Sequence, residues 1–215
     1  MAIFANTFLL VYAALFPIVN PVGSAPLFLG LTRFSSDAAR NRLAWRVAVN
    51  SFFLLLGSLL VGSHLLEFFG ISLPVVRIAG GLVVSAFGWK LLNSDARPDG
   101  APAPSAAAEP ESFYPLTMPL TVGPGSISVA ITLGSQRPIF TGFADFALLA
   151  GAAVTGILAI ALTIYLCYRF AENMVARLGA AGTSVVVRLS AFILLCIGIQ
   201  ILWGGLSTLI GPVPQ

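Results

Sequence analysis

The chain has 215 residues, of which 58% are hydrophobic and only 9% are charged, and its formal net charge is +3 at pH 7. A soluble domain carries about 25% charged residues and about 45–50% apolar ones, so this chain has too little charge to cover a surface that faces water. The composition therefore excludes a soluble enzyme, a nucleic-acid-binding module and a disordered chain, and leaves a polytopic membrane protein. At about 20 residues for each crossing, the length allows about six transmembrane helices.

Long uncharged runs define the transmembrane spans. They predict helices, because the strands of a membrane β-barrel would be segments of about ten residues that alternate apolar and polar side chains. The third span is the least clear, since Arg77 and Lys90 flank its apolar centre. The amino terminus lacks the basic segment and cleavage site of a signal peptide, so we expect a retained first helix. The predicted helices lie near 4–31, 45–67, 73–92, 113–134, 143–168 and 187–210.

The basic residues are divided unevenly between the two sides that six spans would create. The side with loops one, three and five holds Arg33, Arg40, Arg42, Arg46, Lys90, Arg97, Arg169, Arg177 and Arg188, whereas the other side holds Arg77 and Arg137. Loops rich in Lys and Arg face the cytoplasm, so both termini are predicted to lie outside it. The Ala- and Pro-rich stretch 93–112 predicts a flexible linker between a first half, 1–92, and a second half, 113–215.

Two segments, one in each half, carry prolines in the same register. FPIVNPVGSAPLF begins at Phe16, YPLTMPLTVGPGSI begins at Tyr114, and a constant offset of 98 residues relates them. A weaker echo pairs Arg77 in PVVRIAGG with Arg188 in VVVRLSAF. Because each half contains three predicted helices, an odd number, the second repeat would be inverted, which is a sequence signature of secondary transporters. The aligned prolines are Pro17, Pro21 and Pro26 in the first half and Pro115, Pro119 and Pro124 in the second.

Proline and glycine in these segments predict that helices one and four are discontinuous. Proline removes a backbone donor and clashes with the preceding turn, and freed backbone groups are tolerated at membrane depth only where protein or a hydrated cavity satisfies them. The amino end of a half-helix suits a carboxylate, and its carboxyl end suits an ammonium or a cation. The alternative is that the prolines are kinks that serve only helix packing.

Uncharged polar side chains lie near both predicted breaks. Most are Ser or Thr, which commonly bond to their own helix backbone in membrane spans. Asn20 stands apart, because its amide needs several partners at a depth where water is scarce. The set is Asn20, Ser24, Thr117, Thr121, Ser126 and Ser128.

Other reactive or charged side chains give weaker signals. Arg77 and Arg188 lie about one turn inside their helices, where they fit either a gating or structural role on freed carbonyls or anchoring in lipid headgroups. Cys167 and Cys196 lie in apolar runs and are expected to be small buried hydrophobic residues. His64 has no second histidine with which to form a metal site, and no acidic residue lies in the middle of a span. No catalytic or metal-binding residue is therefore expected.

With these residues in view, the chain resembles the MarC family of six-span inner-membrane proteins, also described as the neutral amino-acid transporter family. The segments that carry the resemblance are FPIVNPVGSAPLF (16–28), GISLPVVRIAGGLVVSAFGWKLL (70–92) and FYPLTMPLTVGPGSI (113–127). The resemblance implies a multi-pass protein of the bacterial cytoplasmic membrane that transports small neutral amino acids such as glycine and alanine. It also implies that substrate binds between the first and fourth helices. The matching positions are Asn20, Pro21, Gly23 and Ser24 in one half and Thr121, Gly123, Pro124 and Gly125 in the other.

The expected fold is thus an all-α polytopic membrane protein with six transmembrane helices in two inverted three-helix repeats. The expected mechanism is alternating access without a cofactor, coupled to H⁺ or Na⁺, with the substrate carboxylate on half-helix N–H groups and its ammonium on carbonyls and Asn20. The expected partners are the substrate and the lipid bilayer. An exporter of another small solute, related to the lysine-exporter superfamily, is the alternative. An intramembrane lipid enzyme would need a nucleophile, acid pair or metal cluster that the sequence does not offer.

Overall fold

The computed structural model describes residues 2–93, 111–135 and 143–211, and within these ranges the chain is helical and contains no β-strand. The all-helical class expected from the sequence is therefore confirmed for the described residues. The predicted linker 93–112 lies outside them except at its ends, and so do Arg97 and Arg137. The elements are α1 (Ala2–Val19), α2 (Pro21–Leu31), α3 (Asp37–Phe68), α4 (Leu73–Asn93), a short π-helix named π1 (Leu116–Thr121), α5 (Pro124–Ser135), α6 (Phe143–Arg169) and α7 (Ala171–Ile210).

Four of these helices are long and apolar enough to cross a membrane: α3, α4, α6 from Ala147 onward, and α7. The pair α1–α2 meets the same test as one span bent by 41°, which gives up to five candidate spans among the described residues. Large apolar side chains are exposed along these helices, for example Leu10, Phe53 and Trp203, which are each more than half exposed. A soluble monomer rarely exposes so much contiguous apolar surface, so this outer surface fits contact with lipid.

Two helices begin earlier than the uncharged runs predicted. Helix α3 begins at Asp37, not near residue 45, because the Ser36 side chain caps it by accepting a hydrogen bond from the Ala39 N–H at 3.3 Å. Helix α7 begins at Ala171, not near residue 187, but the non-helical backbone angles of Gly179 (φ +66°, ψ 179°) divide it into two helical segments. An uncharged run marks only the part of a helix that fits the membrane interior, and both helices continue into polar sequence beyond it.

Helices α4 and α7 pack closely through glycine. A Cβ atom at Gly81 would lie 2.5 Å from the Leu202 nitrogen, and one at Gly205 would lie 2.8 Å from the Pro74 carbonyl oxygen. Such distances leave no room for a side chain, so the two backbones touch, as small residues allow in membrane helices. Residues later in α4 contact residues earlier in α7, so the two helices are antiparallel. Cys196 lies on the exposed face of α7 and Cys167 is partly buried, so the expected burial is wrong for Cys196.

Candidate functional site

The first helix is interrupted at Asn20, between α1 and α2. Asn20 has left-handed backbone angles (φ 48°, ψ 55°), which among residues with a side chain are best tolerated by asparagine and aspartate. Its Oδ1 accepts a hydrogen bond from the Gly23 N–H at 3.2 Å and so caps α2, and Pro21 occupies the first turn, where its missing N–H costs nothing. Pro17 and Pro26 lie within α1 and α2 without ending them. The break is thus an asparagine cap, with proline starting the second half-helix.

The fourth predicted helix is also interrupted, but with different geometry. It consists of π1 followed by an extended residue, Val122, and then by α5, which begins at Pro124. Inside π1, Met118 has extended backbone angles (φ −119°, ψ 122°). The Thr121 hydroxyl donates to the Leu116 carbonyl at 2.7 Å, so a side chain satisfies an acceptor in the irregular backbone.

The proline alignment does not extend to the places where the half-helices restart. Pro21 starts α2, whereas Pro119, its partner at the offset of 98, lies inside π1. The residue that starts α5 is Pro124, whose sequence partner Pro26 lies inside α2. Both halves are interrupted, but the two restart points are offset by five residues more than the sequence repeat indicates.

Both interruptions face one cavity. It leaves about 70 Å³ for the centres of water-sized groups. A single water needs about 10–15 Å³ of cavity, so this cavity has room for more than one water-sized group and fits a small solute. Its lining comprises Ile18, Val19, Asn20 and Ser24 of the first interruption, Pro119, Leu120, Thr121, Gly123, Pro124, Gly125 and Ser126 of the second, and Val83, Val84, Phe87 and Leu194 of α4 and α7.

Six of the eight residues expected to bind substrate line this cavity: Asn20, Ser24, Thr121, Gly123, Pro124 and Gly125. The other two, Pro21 and Gly23, are buried beside it and shape the cap of α2. None of the described residues that line the cavity has an ionisable side chain. Its polarity therefore comes from hydroxyls, the Asn20 amide and the ends of the half-helices.

Among the described lining residues, Asn20 is the one whose side chain has a buried polar atom without a hydrogen-bond partner. Its Nδ2 is buried and makes no hydrogen bond with any described residue. A buried donor left unpaired costs about 1–3 kcal/mol, so a native structure retains one only for a reason. The hydroxyls of Thr121 and Ser126, by contrast, bond to the Leu116 and Gly123 carbonyls at 2.7 and 2.9 Å.

Tyr168 supports the site from outside the lining and is not among the site residues predicted from the sequence. Its side chain is fully buried, and its hydroxyl is 2.7 Å from the Thr121 hydroxyl. Its ring stacks on Phe28 of α2 with centroids 4.4 Å apart. Tyr168 therefore joins α6 to both interrupted helices. In sequence it lies next to Arg169 at a span end, where a tyrosine usually indicates the membrane interface, so no local signal distinguished it.

The two candidate arginines differ in their surroundings. Arg77 Nε donates to the Thr132 hydroxyl of α5 at 3.3 Å, so it bonds a side chain and not one of the carbonyls freed by the breaks. Arg188 is exposed on α7. Neither lines the cavity.

A polar cluster joins α3 to the junction of α6 and α7 at one end of the bundle. Arg40 Nη1 lies 2.8 Å from Glu172 Oε2 and 3.1 Å from Asp37 Oδ1. Beside it, Arg169 Nη1 donates to Asn41 Oδ1 at 3.1 Å. The ends of α3 and α6 that carry these residues are therefore on the same side of the molecule.

Comparison with known proteins gives a consistent family. The model of the MarC family of integral membrane proteins matches residues 5–210. The inner membrane protein MarC of Salmonella typhimurium is 31% identical over 204 residues, covering 91% of this chain and 92% of that protein. The protein of the same name from Escherichia coli O6:H1 is 32% identical over the same length and coverage. No solved structure matches the chain. The chain belongs to the MarC family of integral membrane proteins.

Proposed function

We propose that this protein is a secondary transporter of small neutral amino acids such as glycine and alanine, which it moves across the bacterial cytoplasmic membrane by alternating access. The observation that carries the proposal is the single cavity at which both interrupted helices end. Interrupted helices of this kind form the substrate sites of many secondary transporters. The relatives named above are inner membrane proteins, which supports the proposed location.

The ends of the half-helices support a zwitterionic substrate. The amino ends of α2 and α5 and the carboxyl ends of α1 and π1 all contribute to the lining. Amino ends carry partial positive charge and suit a carboxylate, and carboxyl ends offer carbonyls to an ammonium. The absence of ionisable side chains among the lining residues favours a solute without net charge, and the small volume favours one as small as glycine or alanine.

Helix contacts support six spans in two inverted repeats. Corresponding helices pair with each other, α3 with α6 and α4 with α7. In the repeat, α1 and α2 correspond to π1 and α5. The contact of α2 with α7 then corresponds to the contact of α5 with α4. Likewise, the contacts of α1 and α2 with α6 correspond to the contacts of π1 and α5 with α3. An exchange of the two halves therefore preserves these contacts, which supports a pseudo-twofold repeat, although the weaker contacts of α7 with α1 and α6 have no counterpart of similar strength among the described residues.

The polar cluster gives an independent argument for the sixth span. Arg40 and Glu172 are in contact, so the chain between them must cross the membrane an even number of times. That chain forms α3, α4, the π1–α5 segment and α6. The number is even only if π1 and α5 together make one crossing. With the cluster on the cytoplasmic side, as the distribution of basic residues predicts, both termini lie outside the cytoplasm.

Flux measurement tests the proposal directly. Purified protein in liposomes is expected to exchange labelled glycine for unlabelled glycine or alanine, and to accumulate label under an imposed H⁺ or Na⁺ gradient. Lysine, glutamate and leucine should compete weakly, because the cavity is small and its lining is uncharged. Liposomes without protein provide the baseline. Failure of glycine and alanine to move under exchange and under both gradients would refute the proposal.

A further inference from the structure

We infer that the cavity recognises the carboxylate of its ligand through the side-chain amide of Asn20. This inference deepens the proposed function and rests on it for the identity of the ligand. It reverses the polarity expected from the sequence alone, in which Asn20 would receive the substrate ammonium.

The cap of α2 fixes which atom of the Asn20 amide is left without a hydrogen-bond partner. The Gly23 N–H is a donor, so the Asn20 atom that it reaches at 3.2 Å must be the oxygen. The other terminal atom is therefore Nδ2, which can only donate. An ammonium also only donates, so it cannot bond to Nδ2, whereas a carboxylate can.

The position of Nδ2 is held by its neighbours. A Cβ atom at Gly23 would collide with Asn20 Nδ2 and would lie 2.6 Å from Ser190 Cβ, so α7 closes the space behind the amide. Asn20 lines the cavity, yet its Nδ2 is buried and has no partner among the described residues. A buried donor that has no partner and belongs to a residue lining a cavity is suited to an acceptor on a ligand.

The amino end of α5 adds donors to the same cavity. Gly123 precedes α5 and has no side chain with which to cap it, and Gly125 and Ser126 of the first turn line the cavity. Amides in the first turn of a helix have no partner within that helix. A carboxylate has two oxygens with several acceptor positions, so it can use both Nδ2 and these amides.

The substitution Asn20→Asp distinguishes binding of a carboxylate at this position from binding of an ammonium, because the two cases change the affinity in opposite directions. The substitution keeps the oxygen that caps α2 and replaces Nδ2 with an anionic oxygen. If Asn20 binds a carboxylate, affinity falls, and if it binds an ammonium, affinity rises. Ser36→Asp is the matched control, because Ser36 caps α3 in the same way and does not line the cavity.

Thermal shifts of the purified full chain in detergent, measured against glycine, acetate and methylamine, provide a binding readout that does not depend on transport. We expect glycine and acetate to stabilise the wild type and Ser36→Asp. In Asn20→Asp their affinity should fall by at least about tenfold, as expected when a hydrogen bond to a charged group is lost, while methylamine is not weakened. Unchanged or tighter binding of glycine by Asn20→Asp would overturn the inference, as would a wild type that glycine does not stabilise.

Asn20→Gly guards against a folding defect in the aspartate variant. Glycine adopts the left-handed backbone of this position without strain and lacks the amide. We expect it to lose glycine affinity by a similar factor, and retained affinity would again overturn the inference. If glycine binds the wild type and the Asn20 variants weaken that binding, but the wild type transports neither glycine nor alanine, the proposed function alone is refuted. Transport by wild type with unchanged apparent affinity in Asn20→Asp would refute the Asn20 inference alone.

Discussion

The hydroxyl of Tyr168 offers a small perturbation with a calculable effect on the cavity. Tyr168→Phe removes a fully buried hydroxyl that lies 2.7 Å from the Thr121 hydroxyl, while the stacking on Phe28 at 4.4 Å remains. Thr121 still bonds to the Leu116 carbonyl, so the substitution does not leave it unpaired. The Tyr168 hydroxyl also interacts with the Ser24 side chain, so the cost in unfolding free energy should be that of one or two hydrogen bonds, about 0.5–3 kcal/mol, with no large cavity term.

The same hydroxyl holds Thr121 against the cavity, so the substitution should also weaken substrate binding. If the energy of the lost hydrogen bond is what holds Thr121 in its binding position, the apparent affinity for glycine falls by up to about tenfold, since 1.4 kcal/mol corresponds to a factor of ten. Concentration-dependent glycine exchange in liposomes gives the affinity, and thermal unfolding in detergent gives the stability. The maximal rate should change less than the affinity.

Tyr12→Phe is the matched control. The Tyr12 hydroxyl lies 3.2 Å from that of Thr163 and likewise joins a first-half helix to α6, but neither residue lines the cavity. It should lower stability by a similar or smaller amount and leave glycine affinity unchanged. An equal loss of affinity in both variants would show a general effect of loosening α6, and an unchanged affinity in Tyr168→Phe would refute the role assigned to its hydroxyl.

Two further predictions concern packing and charge. Gly205→Ala should destabilise the protein by about 1–3 kcal/mol, because its Cβ would lie 2.8 Å from the Pro74 carbonyl oxygen, whereas Gly204→Ala, with nothing within 4 Å, should be neutral or slightly stabilising. Equal thermal stability of these two variants would contradict the backbone contact between α4 and α7. Glu172→Gln should cost about 0.5–1 kcal/mol at low salt, because it weakens an ion pair with Arg40 that is partly exposed to solvent, and the difference from wild type should shrink at about 1 M salt. A difference that does not depend on salt would mean that packing, not charge, holds the polar cluster together.

Local chemistry made the first interruption predictable. Asparagine tolerates left-handed backbone angles and is among the best helix caps, and the proline that follows it fits the first turn of a new helix. The adjacent residues Asn20 and Pro21 therefore predict where α1 ends and α2 begins. Ser36, which caps α3, is an equally local signal, but it lies outside the uncharged runs that predict the spans. Such runs report the membrane interior and not the ends of helices.

The second interruption could be located but not described from the sequence. Glycine and proline between residues 115 and 125 indicate irregular backbone, but they do not indicate that Pro119 lies within a π-helix and that the next helix restarts only at Pro124. The outcome depends on tertiary contacts, since the Thr121 hydroxyl bonds both to the Leu116 carbonyl and to Tyr168. A contact between residues that are 47 positions apart cannot be found by comparing one half of the chain with the other.

The distribution of charge limits what the cavity can accept. Charged side chains occur in the polar cluster around Arg40, whereas the described residues that line the cavity include none. The Asn20 amide and the amino end of α5 stabilise an anionic group, but helix ends contribute only about half an elementary charge each and no side-chain cation completes the balance. In a poorly solvated site an unbalanced anion is costly. A ligand that brings its own ammonium, to be placed on the carbonyls at the carboxyl ends of α1 and π1, removes that cost. The same uncharged lining in which Asn20 donates to a ligand carboxylate therefore favours a zwitterion such as glycine over a simple carboxylate such as acetate.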